Sequence, residues 1–118
     1  MDKEEFEKTK EAVQKGKNPS GYRPVEYKVV ILNEFVEETF DGGIIEKTPR
    51  EVEKDRMQQT EGYIAAISEM AFTDGEGGRW RCEIPALGDK VLFSKYAGQL
   101  YGPYRIVNDK DIVAIVKE

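Results

Sequence analysis

Pro24-Val25-Glu26-Tyr27-Lys28-Val29-Val30-Ile31-Leu32 decides the fold. Val25, Tyr27, Val29 and Ile31 fall on one side of an extended chain and Glu26, Lys28, Val30 and Leu32 on the other, a period of two that specifies a strand. Its second half is apolar on both faces. Further along, β-branched runs recur at residues 63–67, 90–93, 104–107 and 112–116, each bounded by Gly, Pro, Asn or Asp. The strands are short, they are joined at Gly88-Asp89, Gly102-Pro103 and Asn108-Asp109, and no crossover helix lies between them. That pattern predicts an all-β body, a small barrel rather than a parallel sheet.

Upstream, residues 3–15 are good helix formers with Glu4/Lys8 and Glu11/Lys15 at i,i+4, Gly16 as a stop and Asn18-Pro19-Ser20-Gly21 as a breaker run. The apolar stripe is only Phe6, Val13 and Ala12, too thin to hold an otherwise marginal helix, so a frayed helical tail is expected. The chain divides into a helical extension with linker at 1–21 and a barrel domain at 22–118.

Two segments exceed a minimal barrel. Residues 33–61 form a connection far longer than the usual hairpin loop of about 2 to 5 residues, and such loops are functional or disordered. This one starts acidic (Glu34, Glu37, Glu38, Asp41), passes through Gly42-Gly43-Ile44-Ile45 and ends in a charge-rich stretch. Thr48-Pro49-Arg50-Glu51 reads as a capping box with Pro at the first helical position, which would start a helix over 49–59. Helix and flexible loop both stay open. The second segment, 73–81, carries Gly75, Gly77 and Gly78 and reads as an exposed hairpin tip.

The chain's 118 residues suit one domain. Charged residues make up 35% and the mean hydropathy is −0.62, so the surface is heavily solvated and a large enzyme cleft is not expected. Eighteen Lys and Arg against twenty-three Asp and Glu give a net charge of −5, a poor match to a phosphate backbone. There is no histidine and Cys82 is the single cysteine, which removes Cys/His zinc sites, imidazole acid-base chemistry and any intramolecular disulfide. The longest apolar stretch, 112–116, is far below the roughly 20 residues that span a bilayer. The start is mixed-charge rather than a leader, so an unprocessed cytoplasmic chain is expected.

Ile44 and Ile45 follow a double glycine in polar surroundings. They are either a short strand packed on the barrel or an exposed hook that orders in a partner's groove. Burying two Ile gains roughly 3 to 6 kcal/mol, whereas fixing five loop residues costs on the order of 5 to 10 kcal/mol. One hook alone binds weakly. Useful affinity needs backbone hydrogen bonds at the docked site and several copies on one rigid body, so the hook predicts an oligomer. Val29, Val30, Ile31 and Leu32, with Ile112, Val113, Ala114, Ile115 and Val116, are too apolar for open edges. They either cover each other within one subunit or pair head-to-tail between subunits and close a ring.

These residues resemble the GroES-type co-chaperonins. Tyr22-Arg23-Pro24-Val25-Glu26-Tyr27-Lys28-Val29-Val30-Ile31 looks like the family's first strand, and Val36-Glu37 then Gly42-Gly43-Ile44-Ile45 fall at the spacing of its mobile loop. Gly62-Tyr63-Ile64-Ala65-Ala66-Ile67 is similar to the strand after that loop. Gly88-Asp89-Lys90-Val91-Leu92-Phe93 with Tyr96-Ala97-Gly98 matches a Gly-Asp-x-Val-x-Phe stretch, and Asp111-Ile112-Val113-Ala114-Ile115-Val116 the last strand. The ordered set covers most of 22–118. The resemblance implies an irregular β-barrel with a mobile loop at 34–61, in a seven-membered, dome-shaped ring whose neighbours pair first and last strands. It implies that Gly42, Gly43, Ile44 and Ile45 bind an ATP-driven, GroEL-type double ring in its nucleotide-bound state. The ring then closes a chamber for a folding client, without a cofactor or chemistry of its own. Residues 73–79 would be the roof hairpin.

Glu46 stands where the family usually has a third apolar residue, the stretch from 44 to 62 is longer than in familiar bacterial members, and residues 1–20 are an extension. Such departures resemble a bacteriophage co-chaperonin fitted to a host chaperonin or a bulky client. Rival readings are weaker. Arg79-Trp80-Arg81 suits base stacking, but a rim tryptophan shielded by arginines is the commoner meaning. Gly75-Glu76-Gly77-Gly78 lacks the context of a phosphate cradle. Cys82 has no base, and the pairs Glu37/Glu38 and Asp109/Asp111 sit in turns, so an enzyme is not expected. The main alternative is an oligomeric structural or adaptor protein that uses the same barrel without engaging a chaperonin.

Overall fold

The computed structural model describes residues 2–35, 50, 51, 58–74, 76 and 78–116. The alternating strand first read from residue 24 begins later, as β1 (Lys28–Asn33), because Glu26 takes a left-handed φ of 55° and turns the chain just before it. The other strands are β2 (Glu61–Ile67), β3 (Lys90–Phe93), β4 (Gln99–Tyr101), β5 (Tyr104–Asn108) and β6 (Ile112–Ile115), with a 3-10 turn at Asp109–Asp111. β4 had no signal in the sequence beyond the glycines around it. Its entry needs one of them: Gly98 has φ +67°, and a Cβ there would run into the carbonyl oxygen of Ile106.

The described strands form one antiparallel sheet in the order β4-β5-β1-β2-β3-β6. β1 is central, bonded to β2 from Val29↔Ile67 to Asn33↔Gly62 and to β5 from Lys28↔Asn108 to Leu32↔Tyr104. A bulge lies between Val30 and Ile31. This all-β architecture with one N-terminal helix is the fold class expected from the period-two runs.

The central strands β1 and β2 are buried on both faces. Val29, Ile31, Ile64, Val91, Phe93 and Val107 pack with Ala71 and Phe72 on one side. Val30, Leu32, Tyr63, Ala65, Ala66 and Tyr104 pack on the other side with Phe6 and Val13 of a helix, α1 (Lys3–Gln14). The helix is therefore docked, not a frayed tail. Phe6 and Val13 lie seven residues apart on one face, and they are 3% and 0% exposed. Asp2 caps it, its Oδ1 accepting from the Glu5 N–H at 2.8 Å.

Candidate functional site

Gly42, Gly43, Ile44 and Ile45 lie outside the described residues, as does most of the segment that carries them. The two stems of that segment are described, and they stand on adjacent rungs of β1 and β2. Asn33 pairs with Gly62, and one step further the Glu34 N–H donates to the Glu61 carbonyl at 3.4 Å. The Gln59 side-chain amide donates to the Phe35 carbonyl at 3.4 Å, and the Phe93 N–H to the Thr60 carbonyl at 2.9 Å. Arg50, Glu51 and Gln58 have helical backbone, and the residues between 51 and 58, on which the choice between helix and loop falls, lie outside the description. Gly62 is required for packing at this junction: a Cβ would meet Ile31 Cγ2 and stand 2.7 Å from the Leu32 carbonyl oxygen.

Charged groups tie the stems together. Lys90 Nζ sits 3.5 Å from Glu34 Oε2 and 3.3 Å from Glu61 Oε2, bridging a carboxylate on each stem. The Tyr63 hydroxyl donates to the same Glu34 oxygen at 3.3 Å. Lys10 of α1 lies 5.2 Å from the Tyr63 ring centroid and Lys90 5.8 Å. Partial burial pulls the Lys90 ammonium down in pKa, but Glu61, Tyr63 and Glu34 outweigh it and the net shift is upward. Lys10 is also raised, chiefly by the Tyr63 phenol.

Arg105 of β5 is fully buried behind the stems. Its Nη1 donates to the Gln59 carbonyl at 3.4 Å and its guanidinium stands 4.8 Å from the Phe93 ring centroid, while desolvation lowers its pKa. No periodicity argument places an arginine inside a barrel, and this residue was not foreseen. Phe35, Lys10 and Lys90 were not foreseen either, because their roles arise from contacts distant in sequence.

The residues expected to make subunit contacts divide into two groups. Val29, Val30, Ile31 and Leu32 are each 0% exposed in the single chain, and both edges of their strand are occupied by β2 and β5. Their double-sided apolarity comes from burial between the barrel interior and α1. They do not cover the last strand, since β1 and β6 are not neighbours.

Ile112, Val113, Ala114 and Ile115 form β6, an end strand of the sheet bonded to β3 on one side. Val113 is 65% exposed, and the Val116 N–H that follows donates to Lys90 O at 2.8 Å. Beside β6 a groove of about 260 Å³ is lined by Phe72, Trp80, Cys82, Glu83 and Pro85. Cys82 is exposed there. Elsewhere, residues 22–25, which precede β1 and belong to no strand, carry the exposed side chains of Tyr22 and Val25 and border a second groove, of about 460 Å³, with Ile67 and Met70.

Residues 73–79 turn back on themselves. Thr73 and Arg79 form a bridge, the Asp74 N–H donates to the Gly78 carbonyl at 2.8 Å, and Asp74 Oδ1 accepts from the Glu76 and Gly78 N–H groups. Trp80 stacks edge-on against Phe72 at 5.3 Å and its indole N–H donates to the Thr73 carbonyl. The pair Asp109/Asp111 serves the backbone: Asp109 Oδ2 accepts from the Phe72 N–H and Asp111 Oδ2 from the Asn108 N–H. Glu37 and Glu38 lie outside the described residues. Among the described residues no group of three or more His, Cys, Asp or Glu gathers at metal-holding distance, and no helix is long and apolar enough to cross a membrane.

Residues 21–116 match the family described as the chaperonin 10 kDa subunit. The chain is 38% identical over 99 residues to the co-chaperonin GroES of Clostridium perfringens, covering 80% of this chain and 97% of that protein. Over the same shares it is 36% identical to the co-chaperonin GroES of Clostridium novyi and 35% to that of Clostridium kluyveri. The family match starts after α1.

Proposed function

Given that the chain belongs to the chaperonin 10 kDa family and is a GroES-type co-chaperonin, a non-enzymatic role, we propose that it assembles into a ring-shaped lid, seven-membered as the resemblance implies. The lid closes one end of an ATP-driven, GroEL-type double ring in its nucleotide-bound state and encloses a folding client in the cytoplasm. Gly42, Gly43, Ile44 and Ile45 are the contact with the chaperonin. One observation carries this reading: the segment that bears them leaves and re-enters on adjacent rungs of the central strands, with stems 3.4 Å apart at Glu34 N and Glu61 O. A segment rooted in that way is presented from a rigid body, which multivalent docking requires.

The ring closes through the exposed elements. The edge of β6 that no described strand pairs, with Ile112, Val113, Ala114, Ile115 and Val116, takes residues 22–25 of the next copy, supported by the exposure of Val25 and Val113 at 65% each. The barrel domain 22–118 does this work, with 34–61 as its mobile loop and the hairpin at 73–81 as its roof. Sedimentation with a bacterial chaperonin and ATP or ADP is the test. Co-migration that disappears in the double variant Ile44→Ser, Ile45→Ser is the expected result. No co-migration with either a bacterial or the native chaperonin overturns the proposal and leaves a ring-forming adaptor.

A further inference from the structure

α1 lies outside the residues matched to the family, yet its contacts converge on the stems of the chaperonin-binding segment. Phe6 packs its ring 5.6 Å from that of Phe35, on the outgoing stem. One turn further on, Lys10 faces Tyr63, Tyr63 bonds Glu34, and Glu34 shares Lys90 with Glu61 on the returning stem. A continuous set of contacts thus runs from the helix across both stems. The backbone bond it reinforces, Glu34 N to Glu61 O, is long at 3.4 Å, as is the Gln59 bond to Phe35 O. Bonds of that length at the end of a ladder are the first to open without side-chain support.

We propose that α1 and the Lys90 bridge form a clasp across the two stems, which makes Phe6, Lys10 and Lys90 positioning residues for chaperonin binding. The inference rests on the co-chaperonin reading above. Each stem residue that frays must be ordered again when the segment docks, and that penalty recurs in every copy of a ring. A closed clasp removes it beforehand.

Full-length protein tests the clasp through two readouts: amide hydrogen exchange at residues 33–35 and 59–61 of the free protein, and affinity for the chaperonin with ADP. Lys90→Gln is expected to speed stem exchange and to weaken binding, each by about tenfold. Lys90→Arg, which keeps the charge, is expected to restore both, and light-scattering mass stays unchanged in all variants. Phe6→Ala gives the same two effects with a loss of helicity; should it fail to fold, the Lys90 pair decides alone. Unchanged stem exchange in Lys90→Gln overturns the clasp, and faster exchange with unaltered affinity overturns its positioning role. A wild type that never binds a chaperonin defeats the underlying function instead, while the exchange measurement still judges the clasp.

Discussion

Asp109 is 2% exposed, and its Oδ2 accepts from the Phe72 N–H at 2.9 Å. Phe72 has a φ of 62°, a left-handed backbone that a large side chain rarely adopts. The carboxylate therefore holds a strained residue at the base of the 73–79 hairpin. Asp109→Ala leaves a buried N–H without a partner and is expected to lower stability by about 1–3 kcal/mol, read from urea midpoints. Asp109→Asn keeps an acceptor and loses less. The lysines at the stems give a pH dependence of defined sign. Lys10 and Lys90 have folded pKa values above 10.5, held up by Tyr63, Glu7, Glu34 and Glu61 around them. Their contribution is complete below pH 10.5 and is lost as pH rises through the folded values. The thermal midpoint of the wild type should fall more steeply above that pH than that of a Lys10→Gln, Lys90→Gln double variant.

α1 shows how an element's stability can lie in its neighbour. A twelve-residue helix is marginal alone, and its salt bridges Glu4–Lys8 and Glu11–Lys15 are exposed and add little. It persists because Phe6 and Val13 fill the Val30, Leu32 and Tyr63 face. Asp2→Ala is expected to cost about 1 kcal/mol of helix stability, seen as earlier loss of helical circular dichroism on heating. The strands were legible because β-branched runs with a period of two, ended by Gly-Asp and Gly-Pro, leave few alternatives. The docking of α1 was not, since two apolar residues look thin until the surface that receives them is known. Within the chain the face of Val30 and Leu32 is covered by Phe6 and Val13. The start of β1 was misplaced because nothing in the letters marks Glu26 as left-handed. Ile44 and Ile45 stand out in the sequence as a pair outside any pattern and lie outside the described residues, while the stems of their segment depend on contacts between residues 6 and 35 or 34 and 90.

Across the whole molecule, the described residues leave apolar side chains exposed near both ends of the barrel segment. β6 ends the described sheet with Val113 exposed, and Val25 stands equally exposed just before β1, in a stretch that belongs to none of the described strands. Val113→Lys should lower the light-scattering mass from a multiple of 13.5 kDa toward a single copy, leaving the fold intact because the side chain points to solvent. In the proposed ring, repetition would turn a weak two-isoleucine contact into a grip. The most direct test is native mass spectrometry of the cognate chaperonin incubated with ADP and excess protein. Mass is expected to be added in one step, as a complete ring on an end of the double ring. Chaperonin that stays bare at every protein concentration, or that takes up single subunits one at a time, would contradict it.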